Sequence, residues 1–462
     1  MSFEGKEEKQ GDRRLYTLGE EKPAKAILKM GIPVTIGMLF MVAYNLTDTF
    51  FIGLMHDDIQ LAAVNLSYPI MMVMIAVAGI VGNGGASYIA RCMGAGETDK
   101  ARHVLTNGLE LIVIFSVVIT ALGLLFINPV VSVLGAKPDT FESTRDYTCV
   151  MLIGSLFTMD NYAVGQLLRS EGSTLYSMVG MIAGNVANII LDPIFIFTLG
   201  MKIKGAAIAT VLGNVLGVGI YLFYYAKKDT LLVPSKRFLR FDKQIFKEIM
   251  VVGTPHTLEQ FLTTAAIIVS NNLAAGYGAA AVAGMGIANK IMSFGNYVYQ
   301  GMAAGCQPLM GYNYGAKNYS RMKQLINSSE VIVFIMEIGV IGIYGIFAPA
   351  LVSLFSVSDK VIGIGTKALR AAMLMLPFAG ATCIARNTFN AMGKAGYAFL
   401  ITAVRQLALY IPFLLTFNYL WGFTGLIYSQ PVEEFICMFL AFALLSNRLK
   451  KIANEESAKQ PL

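Results

Sequence analysis

The sequence predicts an all-α polytopic membrane protein, with twelve transmembrane helices in two six-helix bundles related by a pseudo-two-fold. Three observations carry that expectation. Hydrophobic residues form 55% of the 462 residues, mean hydropathy is +0.60 and charged residues are only 14%, against about 25% in soluble domains. The apolar runs are long and unalternating, which suits helical spans of about 20 residues and not barrel strands. Finally, three landmarks recur in one register, offset by about 222 residues. Gly31-Ile32-Pro33 returns as Gly253-Thr254-Pro255. Gly94-Ala95, followed by Glu97, Lys100 and Arg102, returns as Gly315-Ala316, followed by Asn318, Arg321 and Lys323. Gly172 of LRSEGSTLYSM returns as Gly393 of FNAMGKAGYAF. Many secondary transporters are built from such repeats, as two bundles that rock around a site between them.

The elements follow in order. The first span, 27–54, opens on the Gly-x-Pro landmark and carries Asn45 and Asp48. The second, 62–90, runs up to Gly94; its Gly82-Asn83-Gly84-Gly85 lacks the Lys of a phosphate loop and reads as close helix packing. The third and fourth, 103–127 and 146–168, flank a loop with Lys137 and Arg145. The fifth, 174–199, follows Gly172 and contains Pro193; the sixth is 205–226. A basic run, Lys227–Lys247, then joins the halves. The second half offers 246–275, 280–312, 324–348, 360–385, 395–418 and 423–446. The expected organisation is a cytoplasmic segment 1–26, an N-terminal lobe 27–226, a linker 227–245, a C-terminal lobe 246–447 and a cytoplasmic tail 448–462.

Charge placement orients the chain. With both termini cytoplasmic, most of the 36 Lys and Arg fall inside, and the external loops hold Lys137, Arg145, Lys202, Lys204, Lys360 and Lys367, as the positive-inside rule requires. The net charge of +7 is thus explained by contact with anionic lipid, and no nucleic-acid partner is expected. Residues 1–26 lack the apolar stretch of a signal peptide. The five cysteines and three histidines show no metal-ligand spacing. Neither His-Glu-x-x-His nor Gly-x-Ser-x-Gly occurs, so an intramembrane enzyme is not expected, and no cofactor is expected either.

Polar groups within the spans are costly and therefore informative. Asn45 and Asp48 share a face of the first span. Asn185, Asn188 and Asp192 form one stripe on the fifth, and Thr210 and Asn214 lie one turn apart on the sixth. Together these oxygen-rich faces suit a proton or a hard cation such as Na⁺. Pro33 and Pro193 are candidate bends, and Pro193 frees the carbonyl of Ile189 one turn from Asp192. In the eighth span Asn289, Ser293, Asn296 and Gln300 form a second stripe beside Tyr297 and Lys290. With Glu259, Met285 and Met292 they are candidates for lining a central cavity. Met repacks easily around varied shapes, and the chain has 25 Met and 28 Phe. Lys290 and Arg405 are candidate partners for Glu259, and the sequence does not show which of them meets it.

At these residues the chain resembles the multidrug and toxic compound extrusion (MATE) transporters, in their DinF-like, MepA-related bacterial branch. The matching stretches are Gly31-Ile32-Pro33, Asn45 to Gly53, Gly94-Ala95 with its basic tail, Asn188 to Pro193, Gly205 to Thr210, and the Gly315-Ala316 repeat. The likeness covers essentially residues 25–450. It implies a multi-pass protein of the bacterial cytoplasmic membrane that exports amphipathic, often cationic organic compounds in exchange for H⁺ or Na⁺. It also implies a cation site in the N-terminal lobe formed by Asp48, Asn188, Asp192 and Thr210. A monomer is expected. The acidic pattern that the NorM-like branch carries in the C-terminal lobe has no match here, since Glu259 lies at the wrong distance from Gly253. The runner-up reading is a lipid-linked oligosaccharide flippase of a related two-lobed family. Such a protein would need several Arg in the early spans to hold pyrophosphate.

Overall fold

The structure is a computed structural model, and it describes residues 13–55, 57–227 and 230–457. The first twelve residues of the N-terminal segment, residues 228–229 of the linker and the last five of the tail lie outside the described residues. Helices account for nearly all of the rest. The first three spans are Pro23–Gly53, Asp58–Gly94 and Thr98–Leu125. The fourth is split at Gly154 into Phe141–Ile153 and Ser155–Ser170. The fifth, Thr174–Pro193, continues through a wide π-helical turn, Ile194–Thr198, and the sixth is Lys202–Ala226. The second half begins with Lys243–Ala275, Ala279–Gly315 and Tyr319–Ser353. The tenth span joins Asp359–Ala372 to Leu376–Ala391. The eleventh runs from Ala395–Ala403 through a π-helical stretch, Val404–Tyr410, into Ile411–Ser457. That last helix breaks at Gly422 (φ 58°), where the twelfth span starts.

Among the described residues, eight helical stretches are long and apolar enough to cross a membrane, the last of them, Ala395–Ile452, holding two spans. The fourth, seventh and eighth spans are not among these stretches: the fourth is broken at Gly154, and the seventh and eighth carry the polar residues discussed below.

The repeat is visible in the backbone. The second and eighth spans each have 37 residues and end on the repeated glycine, Gly94 or Gly315, with Ala95 or Ala316 as the cap. The chain then turns through a left-handed residue, Gly96 (φ 78°) in the first copy and Lys317 (φ 57°) in the second. Gly172 and Gly393, the third landmark, are both left-handed (φ 84° and 71°), and so are Gly200 and Gly422. These turns need φ > 0, a conformation glycine enters without steric cost.

The chain forms two compact units. One gathers residues up to Glu20 with Ile36–Thr254; the other gathers Glu21–Thr35 with the chain from Pro255 onward. These limits differ from the 27 and 246 drawn from the sequence, because contacts rather than chain order define a unit. Each Gly-x-Pro landmark explains its own exchange. In the second unit a Cβ on Gly305 would meet the backbone of Met30 and Gly31; in the first, a Cβ on Gly84 would meet the backbone of Ile249 and Gly253. In each unit, glycines at the same pair of repeat positions thus let helix backbones touch.

The linker is fastened to the first unit. Asn107 donates from Nδ2 to the carbonyls of Phe238 (3.3 Å) and Arg240 (3.2 Å), and its Oδ1 accepts from Asp242 N (3.1 Å). Asp242 then starts the seventh span by accepting from Gln244 N (2.7 Å) and Ile245 N (3.3 Å), and those two amides hold its carboxyl below the usual range. Upstream, buried Glu171 accepts from Thr230 Oγ1 and from Leu232 N (3.1 Å).

Candidate functional site

In the first unit the fifth and sixth spans cross at glycines. A Cβ on Gly184 would meet the Gly213 carbonyl, and a Cβ on Gly213 the Gly184 carbonyl. This close approach sets Asn188, one turn beyond Gly184, opposite Thr210, about one turn before Gly213. In the orientation that satisfies both neighbours, the Asn188 carboxamide donates to Asp192 Oδ2 (2.9 Å) and accepts from Thr210 Oγ1 (3.1 Å) and N (2.9 Å). Asp192 is 0% exposed, Asn188 2% and Thr210 7%.

The first span closes the group from a third side. The Asp48 carboxyl is within hydrogen-bonding reach of Asp192, and the Tyr44 hydroxyl is within reach of Thr210. Tyr147, buried in the fourth span within the neighbouring apolar cluster, is in electrostatic range of both carboxyls. Among the described residues, Asp192 Oδ1 has no N–H or O–H donor. Two carboxyls this close repel each other when both are ionised, a repulsion that a shared proton or an adjacent cation would relieve.

Toward the C-terminal end of the first span the group is capped by an apolar cluster that includes Ile52, Met151, Ile196, Ile203 and Ala207. On the other side the polar contacts continue. Asn214 donates to Thr210 O (3.0 Å) and Thr158 Oγ1 (3.3 Å), and Asn161 donates to Asn214 Oδ1 (2.7 Å). Asn214 thus ties the sixth span to the fourth, and Asn185 Nδ2 has no partner among the described residues. Pro33 lies inside the first span and helical geometry continues through it; the unit boundary falls just beyond, between Thr35 and Ile36. Pro193 ends the regular part of the fifth span where the π-helical turn begins.

The remaining candidates belong to the second unit. Asn289 is exposed, and Ser293, Asn296, Tyr297 and Gln300 are half-buried along the same helix; Ser293 Oγ donates to the Asn289 carbonyl (3.0 Å). Three candidates need correction. Met285 (9% exposed) and Met292 (2%) are packed into the unit's interior, because they flank the helix face that carries Gly284, Ala288 and Gly295. Glu259 is buried and pairs with neither Lys290 nor Arg405. Its Oε2 lies 3.7 Å from Arg386 Nη1 and 3.6 Å from His256 Nδ1, Lys290 is exposed, and Arg405 is bonded to Glu434. Sequence reasoning also missed Tyr44 and Tyr147, whose only signal was a hydroxyl within a span one turn from Asp48 or facing it.

Comparison with known proteins agrees with the repeated architecture. The family model MatE matches residues 33–194 and again 255–416, the two copies read above. The multidrug export protein MepA of Staphylococcus saprophyticus is 30% identical over 436 residues, 94% of this chain and 96% of that protein. MepA of Staphylococcus aureus is 29% identical over 439 residues, with the same coverage. A solved structure described as the outward-facing conformation of a multidrug resistance MATE family transporter of the MOP superfamily has a TM-score of 0.91 at 30% identity, covering 95% of this chain and 98% of that one. Matched twice along its length, this all-helical membrane chain belongs to the MatE family of transporters.

Proposed function

We propose that this transporter is a secondary multidrug efflux antiporter of the bacterial cytoplasmic membrane. It exports amphipathic, often cationic organic compounds in exchange for H⁺ or Na⁺ and exposes its substrate site to the two sides of the membrane in turn. The observation that carries the reading is the pair of carboxyls, half-buried Asp48 and fully buried Asp192, set against Asn188 and Thr210. A cation entering there neutralises the pair and favours one packing of the first and fifth spans; its departure favours another. Substrate contact is assigned to the face of the eighth span carrying Asn289, Ser293, Asn296, Tyr297 and Gln300.

The driving force is adequate. One positive charge moving inward gains about 2.3 kcal/mol per 100 mV, and a proton gains about 1.4 kcal/mol more per unit of pH difference. One proton, at 100 mV and one pH unit, therefore supports a concentration ratio of roughly 500-fold for a neutral compound and roughly 10-fold for a monovalent cation exchanged one for one, where the potential cancels. The test is transport of a fluorescent organic cation by proteoliposomes under an imposed pH or Na⁺ gradient. Asp48→Asn and Asp192→Asn should each abolish gradient-driven transport while sparing expression and much of the drug binding. Full-rate uphill transport by either variant would refute the site.

A further inference from the structure

The second unit holds charges that the proposed cation site does not use. Glu259, Arg386, Arg405, Glu433 and Glu434 converge from the seventh, tenth, eleventh and twelfth spans. Glu433 is 2% exposed and Glu434 0%. Two pairs are made: Glu259 with Arg386 at 3.7 Å, and Glu434 with Arg405. Glu433 is left over. Its Oε1 is buried without a partner among the described residues, and Oε2 of Glu434 and Oε1 of Glu259 are likewise unpartnered. Among the described residues, Arg405 is the cation whose field reaches Glu433; that guanidinium bonds Glu434 through Nη1, and its Nε has no partner among those residues.

Three carboxyls therefore face two guanidiniums at membrane depth, where an uncompensated charge costs several kcal/mol. A proton on Glu433 restores the balance. The groups facing Glu433 are Glu434 and Cys437 on its own helix, and Arg405 and Tyr410 on the eleventh span. Behind Arg405 stand Tyr299 of the eighth span, Arg386 and Glu259. His256 lies beside Glu259, on the far side of that pair.

The local backbone suits a movable charge. Arg405 sits in the π-helical stretch Val404–Tyr410, a rare geometry that is frequent at functional sites and leaves the turn loosely wound. Arg405 can serve either carboxyl of the adjacent pair, and whichever it leaves must hold the proton. We propose that Glu433 is a second proton-binding residue of the transport cycle, housed in the second unit and distinct from the Asp48–Asp192 site. Its proton departs when positive charge, brought by a cationic substrate or by a shift of Arg405, reaches the cluster.

The test counts protons released when ethidium binds the full-length protein in lipid nanodiscs, using a pH indicator in weak buffer. Glu433→Gln copies the protonated side chain in shape and should release fewer protons than wild type, by up to one per chain. Glu434→Gln frees Arg405 to pair with Glu433, keeps it ionised and should lose the same proton. In an Asp192→Asn background the Glu433-dependent proton should still be released, which separates this inference from the first-unit site. Equal proton counts in wild type and Glu433→Gln overturn the proposal, as does a Glu434→Gln variant that releases as many as wild type.

Discussion

Replacing Glu171 by Gln should tighten the linker's hold on the first unit at neutral pH. Glu171 lies between the fourth and fifth spans, 1% exposed, and accepts from Thr230 and Leu232. Burial pushes its carboxyl up from 4.5 to about 6, against the opposing pull of Thr230, Arg14, the Leu232 amide and Ser173. When the linker opens, the carboxyl returns to water and its ordinary value. A raised acid favours the closed state fully below about 4.5, and that stability is lost as pH rises through about 6. That rise corresponds to about 2 kcal/mol, or roughly 30-fold in the opening equilibrium. Gln keeps an acceptor for Leu232 N and carries no charge. The assay is amide hydrogen exchange of a peptide covering 230–235, corrected for intrinsic rates and compared between variant and wild type at each pH. Wild-type protection should fall by up to about 30-fold between pH 4.5 and 7.5 while Glu171→Gln stays level. A variant less protected than wild type at pH 7.5 would refute the reasoning, since the charge-assisted bonds to Thr230 and Leu232 would then outweigh burial.

Other expectations follow from the repeated turns and crossings. Gly84→Val puts side-chain atoms against the backbone of Ile249 and Gly253 and should cost about 1–3 kcal/mol, read as a lower Tm in detergent; an unchanged Tm would show that the crossing is slack. Gly305→Val should do the same against Met30 and Gly31. Lys317 occupies the left-handed position that Gly96 fills in the first copy. Lys317→Gly relieves about 1–2 kcal/mol of strain and gives back about 0.5–1 in chain entropy, so a small rise in Tm is expected and a fall would contradict the strain argument.

The repeat was legible because its landmarks mark backbone events: Gly172 and Gly393 are left-handed turns, and Gly94 and Gly315 end helices of equal length. Asp48, Asn188, Asp192 and Thr210 could be named because oxygen-bearing side chains are rare in apolar spans, and the structure gathers all four in one unit. Tyr44 and Tyr147 could not be singled out from the chain's 21 tyrosines, since only packing decides which hydroxyl faces a carboxyl. The partner of Glu259 was illegible for a related reason. Arg386 and Arg405 are both on neighbouring helices, and helix rotation, which hydropathy does not encode, gave Glu259 the first and Glu434 the second. Met285 and Met292 lie close to the polar stripe on a helical wheel, yet small residues next to them turn that edge inward.

The exchange of Glu21–Thr35 into the second unit imposes an order on biogenesis. Gly31 leaves the ribosome early, but the surface it packs on, around Met302 and Gly305, is synthesised about 270 residues later. At about 5–20 residues per second the start of the first span waits roughly 15–50 s in the bilayer without its mate. The seventh span has no such delay, because the Gly84 groove that receives Gly253 is already in place when it emerges. The amino-terminal half can therefore insert its six helices, but it is left with an unfilled Gly84 groove and an unhoused first-span segment until the second half arrives.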